Sequence, residues 1–396
     1  MMGRKFYIFL LMIFLYGCSS EFEGLENDDQ LFMKFYGGAG EDNGSAMIAL
    51  DGGFALVGTT TSFGDGDSDL FLVITDENGN ALTSKALGGK GNQSGNGLIQ
   101  YNNNLLAVGH QEDSTGNSDI WILEMDRQGD SLRSWTFGSP EIDEFGIDIK
   151  SISNGNLVVT ATRYTTSTNP DTYVLKFDNQ MEVIWENKNA LNDLSDHFGK
   201  NIIEYRDEEL VYCSTSKRSY SGYTDMRLTA INSIGEVSWN VYFGENQSVE
   251  EAHALTSHVG SFYLIGNTTV AGSHDSDILI VKTNEAGTGA RSMTIGFPGA
   301  SETGKRLVSL RDGSLLVVGE RKLQNSNFKD IYIEKIDTEG NRLWEVPYFL
   351  SGSQDDLAAD ALEMENGDLV ICGTVSFSGN PMMLLLKMNK EGKLIR

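Results

Sequence analysis

One repeating position carries an acid in five of its seven copies: Asp42, Glu144, Glu250, Glu302 and Asp356, with Gln93 and His197 in the other two. Each stands two places before a small residue, namely Gly44, Gly95, Gly146, Gly199, Ala252, Gly304 and Ala358. Glu41, Asp143, Asp196 and Asp355 add a second carboxylate one place earlier. Carboxylates held close together raise one another's pKa or recruit a cation. Copies arranged about an axis would set these residues in a ring at a channel mouth, so all seven are the expected ligand or cation face. The competing reading is that they cap backbone amides where a strand begins, and recur because the unit was duplicated.

Other residues that could do chemistry are sparse. The five histidines are His110, His197, His253, His258 and His274, and no His-Glu-x-x-His is present. His197, His253 and His274 fall in neighbouring copies and are expected near Asp196 and Glu250, where they would suit an acid–base pair or a weak metal site. Asp65, Asp67 and Asp69 in Gly64–Asp69 resemble a Ca²⁺ loop without its later Glu, so a structural Ca²⁺ is the one cofactor to expect. No Gly-x-Ser-x-Gly elbow and no Walker-type loop occurs, and no catalytic residue is assigned.

The elements that must position these residues come from a repeat. A turn, a short apolar run and a small residue recur seven times, the small residue being Gly58, Gly109, Ala161, Ser214, Gly266, Gly319 and Gly373. A period of about fifty residues with about four strands per unit is the signature of a β-propeller. The prediction is therefore an all-β, seven-bladed β-propeller with four-stranded blades. In the first copy the strands are expected at 45–50, 54–61, 70–75 and 81–86. Third strands such as Ile278–Lys282 are apolar almost throughout, as sheets buried on both faces require. A large side chain in the small column is expected to collide with the adjacent sheet, at ~1–3 kcal/mol.

A Gly recurs in the turn between third and fourth strands, at Gly79, Gly129, Gly235, Gly287, Gly340 and Gly392, with Met181 in the third blade. Such turns need positive φ. Ten places before it lies Asp69, Asp119, Asp171, Asp225, Asp277 or Asp330, read as acceptors for loop amides, while Met382 breaks the column. The predicted blades are 37–86, 87–136, 137–187, 188–241, 242–293, 294–346 and 347–396. The last stops partway through its outer strand, and Leu31–Tyr36 matches an outer strand in sequence. The N-terminal strand is expected to complete the C-terminal blade and close the ring, which removes exposed edges and suits a monomer.

The stretches Asp337–Trp344 and Ile234–Trp239, with Trp185, Trp239 and Trp344 four places after the turn, resemble PQQ-like propeller repeats and those of related secreted bacterial propellers. The resemblance implies the fold and not the quinone, since no adjacent cysteine pair is present. The tryptophans are read as blade packing. Cys213 and Cys372 share a column of blades that are not neighbours, so no disulfide joins them.

At the N-terminus, Arg4-Lys5 precedes an apolar run from Phe6 to Tyr16, then Gly17-Cys18. That pattern is an export signal, 1–17. Leu15-Tyr16-Gly17-Cys18 resembles the lipobox of bacterial lipoproteins, which implies a diacylglyceryl, palmitate-bearing Cys18 as the first mature residue. Ser19 after it resembles an outer-membrane address, and the acidic tether 18–30 resembles surface-export signals of Bacteroidetes lipoproteins. With 30 Lys+Arg against 56 Asp+Glu, a net charge of −26, the chain repels phosphate backbones and nucleic acid is not an expected partner. The expected role is a lipid-anchored, non-catalytic binding or scaffold module for an envelope protein or glycan. The alternative is a polysaccharide-active hydrolase or lyase using the channel-mouth carboxylates.

Overall fold

The computed structural model describes residues 31–396 except 167–168, 189–196, 218–221, 349–353, 378 and 395–396. Cys18, the export signal and the tether lie outside the described residues.

Leu31–Arg396 forms one unit. It contains seven sheets of four antiparallel strands each, a seven-bladed β-propeller. In the first blade the strands run Asp42–Leu50, Gly53–Thr60, Asp69–Asp76 and Ala81–Leu87 from the axis outward. The inner strand thus begins three residues before the predicted start, at the acidic column itself. Apolar runs fill the spaces between blades. Leu316, Val318, Ile331 and Ile333 of the sixth blade pack with Leu369, Ile371, Leu384 and Leu386 of the seventh in one buried cluster. No blade could cover both faces alone, so the ring is the smallest complete core.

Ring closure follows the prediction. Phe32–Tyr36 pairs antiparallel with Asn380–Met388, Phe32 opposite Lys387 and Tyr36 opposite Met383. It supplies the whole outer strand of the seventh blade, and the described residues after Met388 turn rather than continue as strand. The Tyr36 hydroxyl donates to Gly79 O at 2.6 Å, tying this strand to the first blade.

The small columns divide their work differently from the expectation. A Cβ on Gly58 would lie 1.7 Å from Asn43 O, and one on Gly319 2.2 Å from Thr303 O. The obstruction is the inner strand of the same blade. Contact with the neighbouring sheet falls on the inner-strand column, where a Cβ on Gly44 would lie 2.5 Å from Gly373 O and one on Gly146 2.7 Å from Gly109 O. The tryptophans are packing residues: Trp185, Trp239 and Trp344 each cover the turn glycine of the next blade, Gly235, Gly287 and Gly392. Where Met181 replaces that glycine the turn keeps a φ of 66°. Cys213 and Cys372 are buried free thiols.

Candidate functional site

The predicted acidic ring is buried. Asp42, Gln93, Glu144, Glu302 and Asp356 are fully enclosed, and Glu250 is 1% exposed. His197 begins the inner strand of the fourth blade, and its side chain is outside the described residues. The side chains turn into the loop that enters each blade. Asp42 accepts from Gly38 N and Ser62 Oγ, both at 2.7 Å. Gln93 Oε1 accepts from Gly89 N at 2.9 Å, Glu144 from Ser139 N at 3.3 Å and Glu250 from Thr268 Oγ1 at 3.2 Å. Glu302 pairs with Arg321 Nε at 2.9 Å, and Asp356 accepts from Ser376 N at 3.4 Å. This is the amide-capping arrangement, with no open acidic surface formed by the column.

The third-strand Asp column meets it from the preceding blade. Burial holds the Glu144 and Glu302 carboxyls above their ordinary range, with Asp119 and Asp277 adding to the effect. Asp330 rises further, to about 6, through burial and then the charges of Asp356 and Asp355. These inward pairs were not legible, because the period does not say which strand of one blade faces which loop of the next.

The open site is the central channel, about 410 Å³, lined by the inner strands of all seven blades. A β-bulge follows the inner small residue in six blades, with register shifts after Gly44, Gly146, Gly199, Ala252, Gly304 and Ala358. Bulges re-aim side chains, and while Asn201 alone lines the channel on the fourth blade, two consecutive residues do so in the other five. The later one stitches blades together. Asp148 Oδ2 accepts from Asn201 Nδ2 at 2.5 Å and Ile202 N at 3.2 Å, and Asn201 Oδ1 accepts from Leu255 N at 3.2 Å. Asp360 Oδ2 accepts from Met47 N at 3.1 Å while its Oδ1 pairs with Arg306 Nε at 3.0 Å.

The earlier bulge residue is Ser45, Ile147 and Ala359 on the first, third and seventh blades, but Lys200, His253 and Lys305 on the fourth, fifth and sixth. His253 Nε2 donates to Asn267 Oδ1 at 3.0 Å, leaving the lone pair on Nδ1. Its pKa falls to about 3, first by burial and then by the Lys305 and Lys200 charges. Burial also lowers the Lys200 ammonium, and Lys305 pushes it the same way. Lys305 and Lys329 share one carboxylate, Glu320, at 3.6 and 2.9 Å. His253 therefore faces the channel, whereas His274 lies exposed on a loop and Asp65 and Asp67 point to solvent. Among the described residues, no three His, Cys, Asp or Glu side chains are grouped to hold a metal. The inner small column could have pointed to this site, since the residue after it is basic in three successive copies.

No protein-family model matches the sequence, and no curated protein does. Solved structures match across nearly the whole ring. The chain is a β-propeller. It is similar to a family 25 polysaccharide lyase, an ulvan lyase, with a TM-score of 0.63 at 9% identity over 92% of this chain and 98% of that one. A Dyadobacter fermentans protein of unknown function gives 0.55 at 11% identity, covering 90% and 97%. The periplasmic gluconolactonase of Pseudomonas aeruginosa gives 0.50 at 10% identity, covering 89% and 98%. Likeness at such identities is likeness of fold.

Proposed function

We propose that this propeller is a lipid-anchored module of the cell envelope that binds a glycan in its central channel. The supporting observation is the polar, 410 Å³ channel walled by inner strands, a concave site of the size that small ligands occupy. The acidic column is buried, so the channel and not that column supports this reading. Anchoring through Cys18 to the outer membrane rests on the lipobox resemblance, and two or three acyl chains suffice for stable attachment. Cys18→Ser is expected to move the protein from the membrane to the soluble fraction.

Binding is tested by titrating envelope oligosaccharides into the full-length protein in detergent. Ala359→Trp, which fills the channel from a half-buried position, should abolish binding with the melting curve kept. Unchanged affinity would overturn the channel as the site.

A second reading, turnover of a polysaccharide, is favoured by one observation: His253, whose Nε2 bonds to Asn267 Oδ1, lines the channel. The column's acids are buried in their loops and are not among the residues lining the channel, so His253 replaces them as candidate base. Loss of glycan cleavage, with binding retained, in His253→Gln would select this reading.

A further inference from the structure

The chain as a whole is strongly acidic, at −26, yet one side of its channel is not. Lys150 is matched by Asp148 at 2.9 Å and Arg306 by Asp360 at 3.0 Å. On the fourth to sixth blades the match fails. Lys305 and Lys329 divide the single Glu320 carboxylate, and the Lys200 charge acts on His253 from beside the channel. Glu251, the remaining nearby acid, is half exposed and 4.0 Å from His253 Nε2. Lys305 is partly buried, so its charge faces the cavity through little water, where attraction for an anion is strongest.

We infer that the channel wall formed by His253 and Lys305 is a seat for a carboxylate of the bound ligand, and that His253 takes up a proton when the seat is filled. This rests on the proposed glycan-binding role and names the chemistry of the sugar: an acidic one. His253 and Lys305 occupy the same bulge position on consecutive blades and both line the channel, with Asn201 lining it on the fourth blade. Every charged group acting on His253 bears on its proton. Burial first, and then Lys305, Lys200 and Lys329, oppose protonation, the Asn267 carbonyl favours it, and Glu251 stands at the rim. An arriving carboxylate offsets the lysine charges and offers an acceptor to Nδ1–H, and both favour the imidazolium against the burial that now keeps the ring neutral.

The test is calorimetric titration of the full-length protein in detergent with glucuronate, glucose and propionate. Titrations are run from pH 7 to 5 in two buffers of different ionisation enthalpy. Glucuronate should bind at least tenfold more tightly than glucose, tighten as pH falls, and carry measurable proton uptake. Lys305→Met should cost at least tenfold in affinity and Lys305→Arg should restore most of it. His253→Gln should weaken glucuronate binding at pH 5 and lose both the uptake and the pH dependence. Equal binding of glucose overturns the carboxylate seat and leaves the glycan role standing. Binding of propionate as tight as glucuronate keeps the seat and overturns the glycan role. Unchanged affinity in a folded Lys305→Met overturns the seat, and no binding of any probe overturns both.

Discussion

Replacing Asp330 with Asn should stabilise this protein at neutral and alkaline pH. Asp330 is 7% exposed at the start of the sixth blade's third strand, and burial with the charges of Asp356 and Asp355 lifts its pKa from 3.8 to about 6. A folded-state pKa above the unfolded one means the group favours folding fully only below the unfolded value. That contribution is lost as pH rises through about 6. At about 1.4 kcal/mol per unit the loss is about 3 kcal/mol at most, and solvent at the loop reduces it to roughly 1.5–3 kcal/mol. Asn keeps the shape and stays neutral. Asp330→Asn should therefore raise the melting temperature at pH 8 by roughly 2–4 °C, a chain of this length shifting by about 1.3 °C per kcal/mol. The gain should vanish below about pH 4. Asp356→Asn should capture part of the same gain by removing one of the two opposing charges. Thermal unfolding of both variants between pH 4 and 8 measures this. A variant less stable at pH 8, with a pH slope equal to the parent's, would refute the assignment of a buried, uncompensated carboxyl.

Three further outcomes follow from the packing. Gly58→Ala should cost about 1–3 kcal/mol in denaturant unfolding, because its Cβ meets the Asn43 carbonyl at 1.7 Å. Tyr36→Phe should lose about 1–2 kcal/mol through the missing bond to Gly79 O, read as a lower urea midpoint. Asp148→Ala should cost about 1–3 kcal/mol, since it leaves the buried Ile202 amide between the third and fourth blades without its acceptor. Hydrogen exchange at Ile202 should report that loss directly.

Blade number, strand order and ring closure were legible in the sequence because they depend on periodicity, which one chain displays along its own length. The small columns, the turn glycines and the match of Leu31–Tyr36 to an outer strand all express local rules of sterics and pairing. The direction in which a side chain points past a β-bulge is not local. The acids at Asp42, Glu144 and Glu302 lie before the bulge and turned into their own loops, whereas His253 and Lys305, just past it, line the channel because the bulge shifts the register there by a residue. Only the assembled ring decided which charges face one another across blades, and so which carboxyls are buried and which ammonium groups are left in excess. The reason is physical: strand identity follows from neighbours in sequence, whereas burial and electrostatics are set by neighbours in space, some fifty residues away.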